Sequence, residues 1–90
     1  MNAITELALL KIDLGINGED YDERLQQYLT AAAAAITREG ITLTDSVEDA
    51  NLKIMYAAWM WRKRTENVGL PRMLRWQLNN RLLSEKAQDG

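Results

Sequence analysis

Residues 56–64 read YAAWMWRKR, a run with more large apolar side chains than one helix face accepts. Wound as a helix at about 100° per residue, residues 46–64 display two apolar stripes. One carries Val47, Ala50, Ile54, Ala57, Ala58 and Trp61; the other, well round the cylinder, carries Leu52, Met55, Tyr56 and Trp59. A helix on the surface of a small domain needs only one such stripe. This helix is therefore either wrapped on two sides by its own chain or shared with a neighbouring subunit.

The rest of the chain supplies three more helices and no convincing strand. The first is predicted over residues 3–14, with Asn2 as N-cap. Leu7, Leu10 and Leu14 form its apolar line, and Ala8, Leu9 and Ile12 lie off that line. Gly15 is a suitable C-terminal stop, with Ile16 folding back onto the helix end. Asn17, Gly18, Glu19 and Asp20 make a turn, and Asp20 with Glu23 reads as a capping pair for a second helix over 22–39. Its single stripe is Leu25, Tyr28, Leu29, Ala32 and Ile36, and the alanine run 31–35 allows close approach by another helix. Gly40 ends it, and residues 41–43 form a connector.

Thr44 or Ser46 caps the third helix, which ends near Glu66, and residues 67–70 turn into a fourth. Pro71 falls in the first turn of that helix, where proline is tolerated, and the helix runs to about Ala87. Residues 87–90 are expected to be a frayed tail. Pro71, Leu74, Leu78 and Leu82 line one side of the fourth helix; Met73, Trp76 and Leu83 lie nearly opposite. The expected fold is all-α: one compact, up-and-down-like bundle of about four helices spanning residues 1–90.

Helices three and four thus each carry a surplus apolar patch. Burying one large apolar side chain is worth roughly 1.5–3 kcal/mol. Leaving Met73, Trp76 and Leu83 in water forgoes on the order of 5 kcal/mol, against a net stability of about 5–15 kcal/mol for a small domain. A bundle of this size can wrap two sides of one helix, but hardly of two. The candidate subunit interface is accordingly Leu52, Met55 and Trp59 on helix three with Met73, Trp76 and Leu83 on helix four.

Composition removes most chemistry. The 90 residues contain no cysteine and no histidine, which excludes disulfides, thiolate metal sites and the commonest general base. Ser84 and Lys86, two apart on a helix, point different ways and make no Ser–Lys pair. A calcium loop starting at Asp13 fails, because its third position is Gly15 and its twelfth is Arg24. The glycines stand apart, so no phosphate-binding loop is present. No catalytic residue, metal ligand or cofactor site is expected, and the chain is not read as an enzyme. The apolar runs fall far short of the roughly 18 residues of a membrane span. No signal peptide opens the chain, so a soluble protein of the compartment that makes it is expected.

Charge is split along the chain. Residues 1–49 hold 10 acids and 3 bases, residues 50–90 hold 3 acids and 8 bases, and the net charge is −2. The halves either neutralise each other within the domain or face different charged partners. Arg62, Arg64, Arg72 and Arg75, with Lys63 and Arg81, gather around the third turn, so a helix–turn–helix that binds DNA is the rival reading. Against it stand the acidic balance and the presence of Met73 and Trp76 where a recognition helix needs polar side chains.

Three segments carry a resemblance. Residues 10–16, LKIDLGI, precede an acidic helix start; an aromatic helix ends in residues 59–64, WMWRKR; and Gly69, Leu70 and Pro71 lead into Leu74, Leu78 and Leu82. In this order and spacing the chain resembles the small head–tail connector (adaptor) proteins of tailed bacteriophages and prophages. It departs from them in the short segment 40–44 and in Trp59 and Trp61, where tyrosine or histidine is common. The resemblance implies a structural virion protein, present in the bacterial cytoplasm before assembly. It would form a ring of copies of itself, matched to a twelve-fold portal protein. The ring would extend the DNA channel, without sequence-specific binding, and dock tail or head-completion proteins.

Overall fold

The computed structural model describes residues 5–89, and among them four α-helices and no strand. These are α1 (Glu6–Leu14), α2 (Asp22–Arg38), α3 (Val47–Lys63) and α4 (Arg72–Asp89). The molecule is a slab of 45 × 37 × 18 Å, thin enough for one face to be read as a surface in its own right.

Local chemistry sets most helix ends where the spacing places them. Gly15 adopts φ 72°, and its N–H and that of Ile16 satisfy the carbonyls of Ile12 and Lys11 at the end of α1. Ser46 caps α3, its hydroxyl accepting from the Asp49 N–H at 3.1 Å. Several boundaries differ from expectation: α3 ends at Lys63 rather than near Glu66, and α4 begins at Arg72, just after Pro71. Asn2 lies outside the described residues, and α1 is capped instead by Thr5, which accepts from the Ala8 N–H. Asp20 and Glu23 make no capping pair; Tyr21 precedes α2 without a side-chain cap, and the turn is tied down by Lys11, which reaches the Gly18 carbonyl and sits 2.7 Å from Asp22. At the other end, α4 continues through Asp89 rather than fraying from residue 87.

Two apolar clusters form the core. In the first, Leu10 of α1 meets Leu25, Leu29 and Ala32 of α2 and Ile54, Ala57 and Ala58 of α3. Ala32 and the Ala57–Ala58 pair are almost wholly buried, and their small side chains let α2 and α3 approach closely. The second joins Ile36 of α2, Ile41 of the connector, Leu52 of α3, and Leu74 and Leu78 of α4. Thus α3 is the shared element, packed by α1 and α2 through one stripe and by α4 through the other.

Candidate functional site

Because α1 and α4 both lean on α3, a groove of about 830 Å³ runs between them. Its α3 side is built by Val47, Glu48, Asn51 and Met55, its α1 wall by Leu9, Ile12 and Asp13, and its α4 wall by Trp76, Gln77, Asn80 and Arg81. Its rim carries two exposed apolar side chains: Ile12 is 73 % exposed and Val47 78 %. On α4 the ridge beside the groove carries Met73 and Trp76, each 60 % exposed, and Leu83, 65 % exposed. These three lie opposite Leu74 and Leu78, as their spacing requires.

The other interface candidates are placed differently. Leu52 is only 2 % exposed and belongs to the chain's own second core cluster, so it leaves the candidate surface. Trp59 is also engaged internally. Its indole N–H donates to the carbonyls of Val68 and Gly69 at 3.3 and 3.0 Å, and its ring meets Tyr56 edge-on and carries the Lys63 ammonium at 4.3 Å. This tryptophan holds the α3–α4 turn. Met55 is half-buried on the α3 side of the groove. Val47, assigned by spacing to the packing stripe of α3, is instead one of the most exposed apolar residues: it sits in the first turn of α3, on the rim of the groove between α1 and α4.

The basic candidates are divided among separate tasks. Arg62 lies 3.7 Å from the Asp13 carboxylate and Arg75 3.4 Å from that of Glu39. Arg64 stacks over the Trp61 ring at 3.8 Å, while Tyr21 and Tyr28 meet the same ring edge-on. Arg72 is exposed at the start of α4. Arg81, grouped by sequence with these cations, is not on the basic surface: it is folded inward.

Arg81 is the centre of a polar latch that the spacing did not reveal. Its guanidinium donates to both oxygens of Asp49, at 2.8 and 3.2 Å, and to the Thr42 carbonyl at 2.7 Å. It also donates to Glu85, which accepts from the Thr42 N–H and hydroxyl at 2.7 and 2.8 Å. Asp49, 1 % exposed, accepts in addition from the N–H and hydroxyl of Thr44, both at 2.8 Å. The latch ties α4 to the connector and to the start of α3, and so fixes the ridge against the groove.

Hydrogen bonding from Arg81, aided by Thr44 and opposed by burial, lowers the Asp49 pKa from 3.8 to about 2. Asp49 therefore contributes fully above about pH 4, and its contribution is lost as pH falls through about 2. The loss expected from this group is about 2 kcal/mol. Glu85, lowered chiefly by the Thr42 N–H, acts in the same direction. Denaturant midpoints measured from pH 5 to pH 2 should show this fall, and Asp49→Asn should flatten it.

Among the described residues no group of three acidic side chains is placed to hold a metal ion, and no helix is long and apolar enough to cross a membrane. Comparison with protein-family models, with curated proteins and with solved structures gives no match.

Proposed function

We propose that this chain is a structural subunit of a phage or prophage head–tail connector. It would assemble as a ring between the portal and the tail or head-completion proteins, with the ring continuing the DNA channel. The observation that carries this reading is the uncovered apolar ridge of Met73, Trp76 and Leu83, on a helix latched rigidly to the rest of the domain. Exposed apolar residues grouped on one latched helix suit a partner surface better than a lone monomer. The connector-like segments at 10–16, 59–64 and 69–82 suggest which partner. An up-and-down order of the helices and a twelve-fold ring belong to the same reading. The work done is mechanical, with side-by-side packing of helical faces and no bond made or broken.

The test is made on particles. Phage particles purified from the source strain should contain the chain in constant ratio to the portal protein. Its deletion should leave DNA-filled heads without tails. Particles that lack the chain, or tailed particles formed without it, would overturn the reading. Trp76→Glu should give the deletion phenotype while changing folding stability by less than about 0.5 kcal/mol, because the side chain is largely in water. Circular dichroism and a urea titration of the purified variant check the second half of that statement.

A further inference from the structure

We propose that the acidic lip of the groove on one copy receives the basic α4 ridge of the next, in a head-to-tail contact between unlike surfaces. This rests on the ring reading above and names the two surfaces that would meet. The ridge residues Met73, Trp76, Asn80, Leu83 and Ala87 follow a three–four–three–four spacing, the pattern with which one helix presents a seam to another. Arg72, Asn79 and Lys86 flank that seam on one side and Gln77 and Ser84 on the other, so the seam is edged by cations and no acid. The lip opposite has the reverse character. Ile12 and Val47 stand out from it beside Asp13 and Glu48. Among the described residues Arg72, Lys86 and Glu48 make no ion pair within the chain.

Charge decides between the available pairings. Two ridges set antiparallel would bring Arg72 of one copy towards Lys86 of the other. Two ridges set parallel would match only Arg72 with Gln77 and Asn79 with Ser84, with no acid to meet a cation. Ridge on lip instead brings the cations Arg72 and Lys86 to a side that holds the unpaired Glu48 and Asp13, the latter shared with Arg62 at 3.7 Å, and sets Met73, Trp76 and Leu83 against Ile12 and Val47. A contact between unlike surfaces leaves one of each free at the ends of any assembly, so it propagates, into a ring where the rotation between copies closes and into an open filament where it does not.

The chain has no cysteine, which makes the test direct. The double variants Ile12→Cys/Leu83→Cys and Ile12→Cys/Met73→Cys are treated at high concentration with a short bis-maleimide. At least one is expected to give a ladder of dimers, trimers and larger species, while each single-cysteine variant stays monomeric. In a second measurement, Arg72→Glu/Lys86→Glu and Asp13→Lys/Glu48→Lys are each added to the cross-linking background. Each alone should lose the ladder on the order of tenfold, and mixing the two proteins should restore it, since only the mixture offers opposite charges.

Dimers from Leu83→Cys alone would show ridge meeting ridge and overturn the proposal. Double variants that stop at dimers would show copies closing in pairs, which overturns it equally. Rings seen by electron microscopy on particles without any residue 12 to residue 83 or 73 cross-link would overturn the surface assignment and leave the ring reading standing. Absence of cross-links together with absence of the chain from particles would overturn both.

Discussion

Replacing Arg81 by methionine is expected to destabilise the domain by about 3–5 kcal/mol, the cost of leaving a buried carboxylate without its charged partner. Methionine keeps most of the buried stem, so loss of packing contributes little. Asp49 would retain only Thr44 and the Ser46–Asp49 cap around it, and Thr42 would lose the guanidinium that its carbonyl now holds. For a domain of this size the melting temperature should fall by more than about 10 °C. The pH dependence separates this effect from a general loosening. With Arg81 gone, the pKa of Asp49 rises, so acidification from pH 7 towards pH 4 should relieve the variant, whereas the wild type gains no stability over the same range. Asp49→Leu added to Arg81→Met should recover part of the loss, because a fully apolar replacement removes the stranded charge as well. A loss below about 1 kcal/mol in the single variant would mean that the latch is solvated and does not hold α4.

The same latch shows where sequence reading stops. Asp49 was legible as an acid at a helix start, and its neighbours Asp45 and Glu48 are indeed in water. What sets Asp49 apart is its place three residues before Leu52 and seven before Tyr56, on the stripe that α4 covers. Arg81 likewise follows Leu74 and Leu78 on the inward line of α4. A charge on each of two apolar lines is a signal for a buried ion pair. It becomes usable only once those lines are known to face each other, which is a tertiary fact. Helix positions were readable because caps, glycines and apolar spacing act locally: Gly15, Ser46, Leu25 and Leu29 of α2, and Leu74 and Leu78 of α4 all sit as their chemistry requires. Exposure of Ile12 was also within reach, since it lies off the Leu7–Leu10–Leu14 line. Exposure of Val47 was not, because it depends on the groove left between α1 and α4, which is a tertiary fact.

Leu52→Ala is expected to cost about 2–5 kcal/mol, as a large-to-small change at a packed site does. The size of that loss settles which apolar stripe of α3 is internal. Periodicity made Leu52, Met55 and Trp59 as good a docking surface as Met73, Trp76 and Leu83, because both sets are surplus to a single packing face. The fold separates them: Leu52 closes against Ile36, Ile41, Leu74 and Leu78, whereas the α4 set projects from the slab. A true interface residue, changed in the free chain, should scarcely affect unfolding, so Trp76→Ala is expected within about 0.5 kcal/mol of wild type. Urea midpoints of the two variants, read side by side, therefore test the division of labour. If Leu52→Ala proved neutral and Trp76→Ala costly, α4 would be packed by its other side and the ridge would be core. With the expected order, the second stripe of α3 is spent inside the chain, and the proposed partner surface is left to α4 and the lip of the groove beside it.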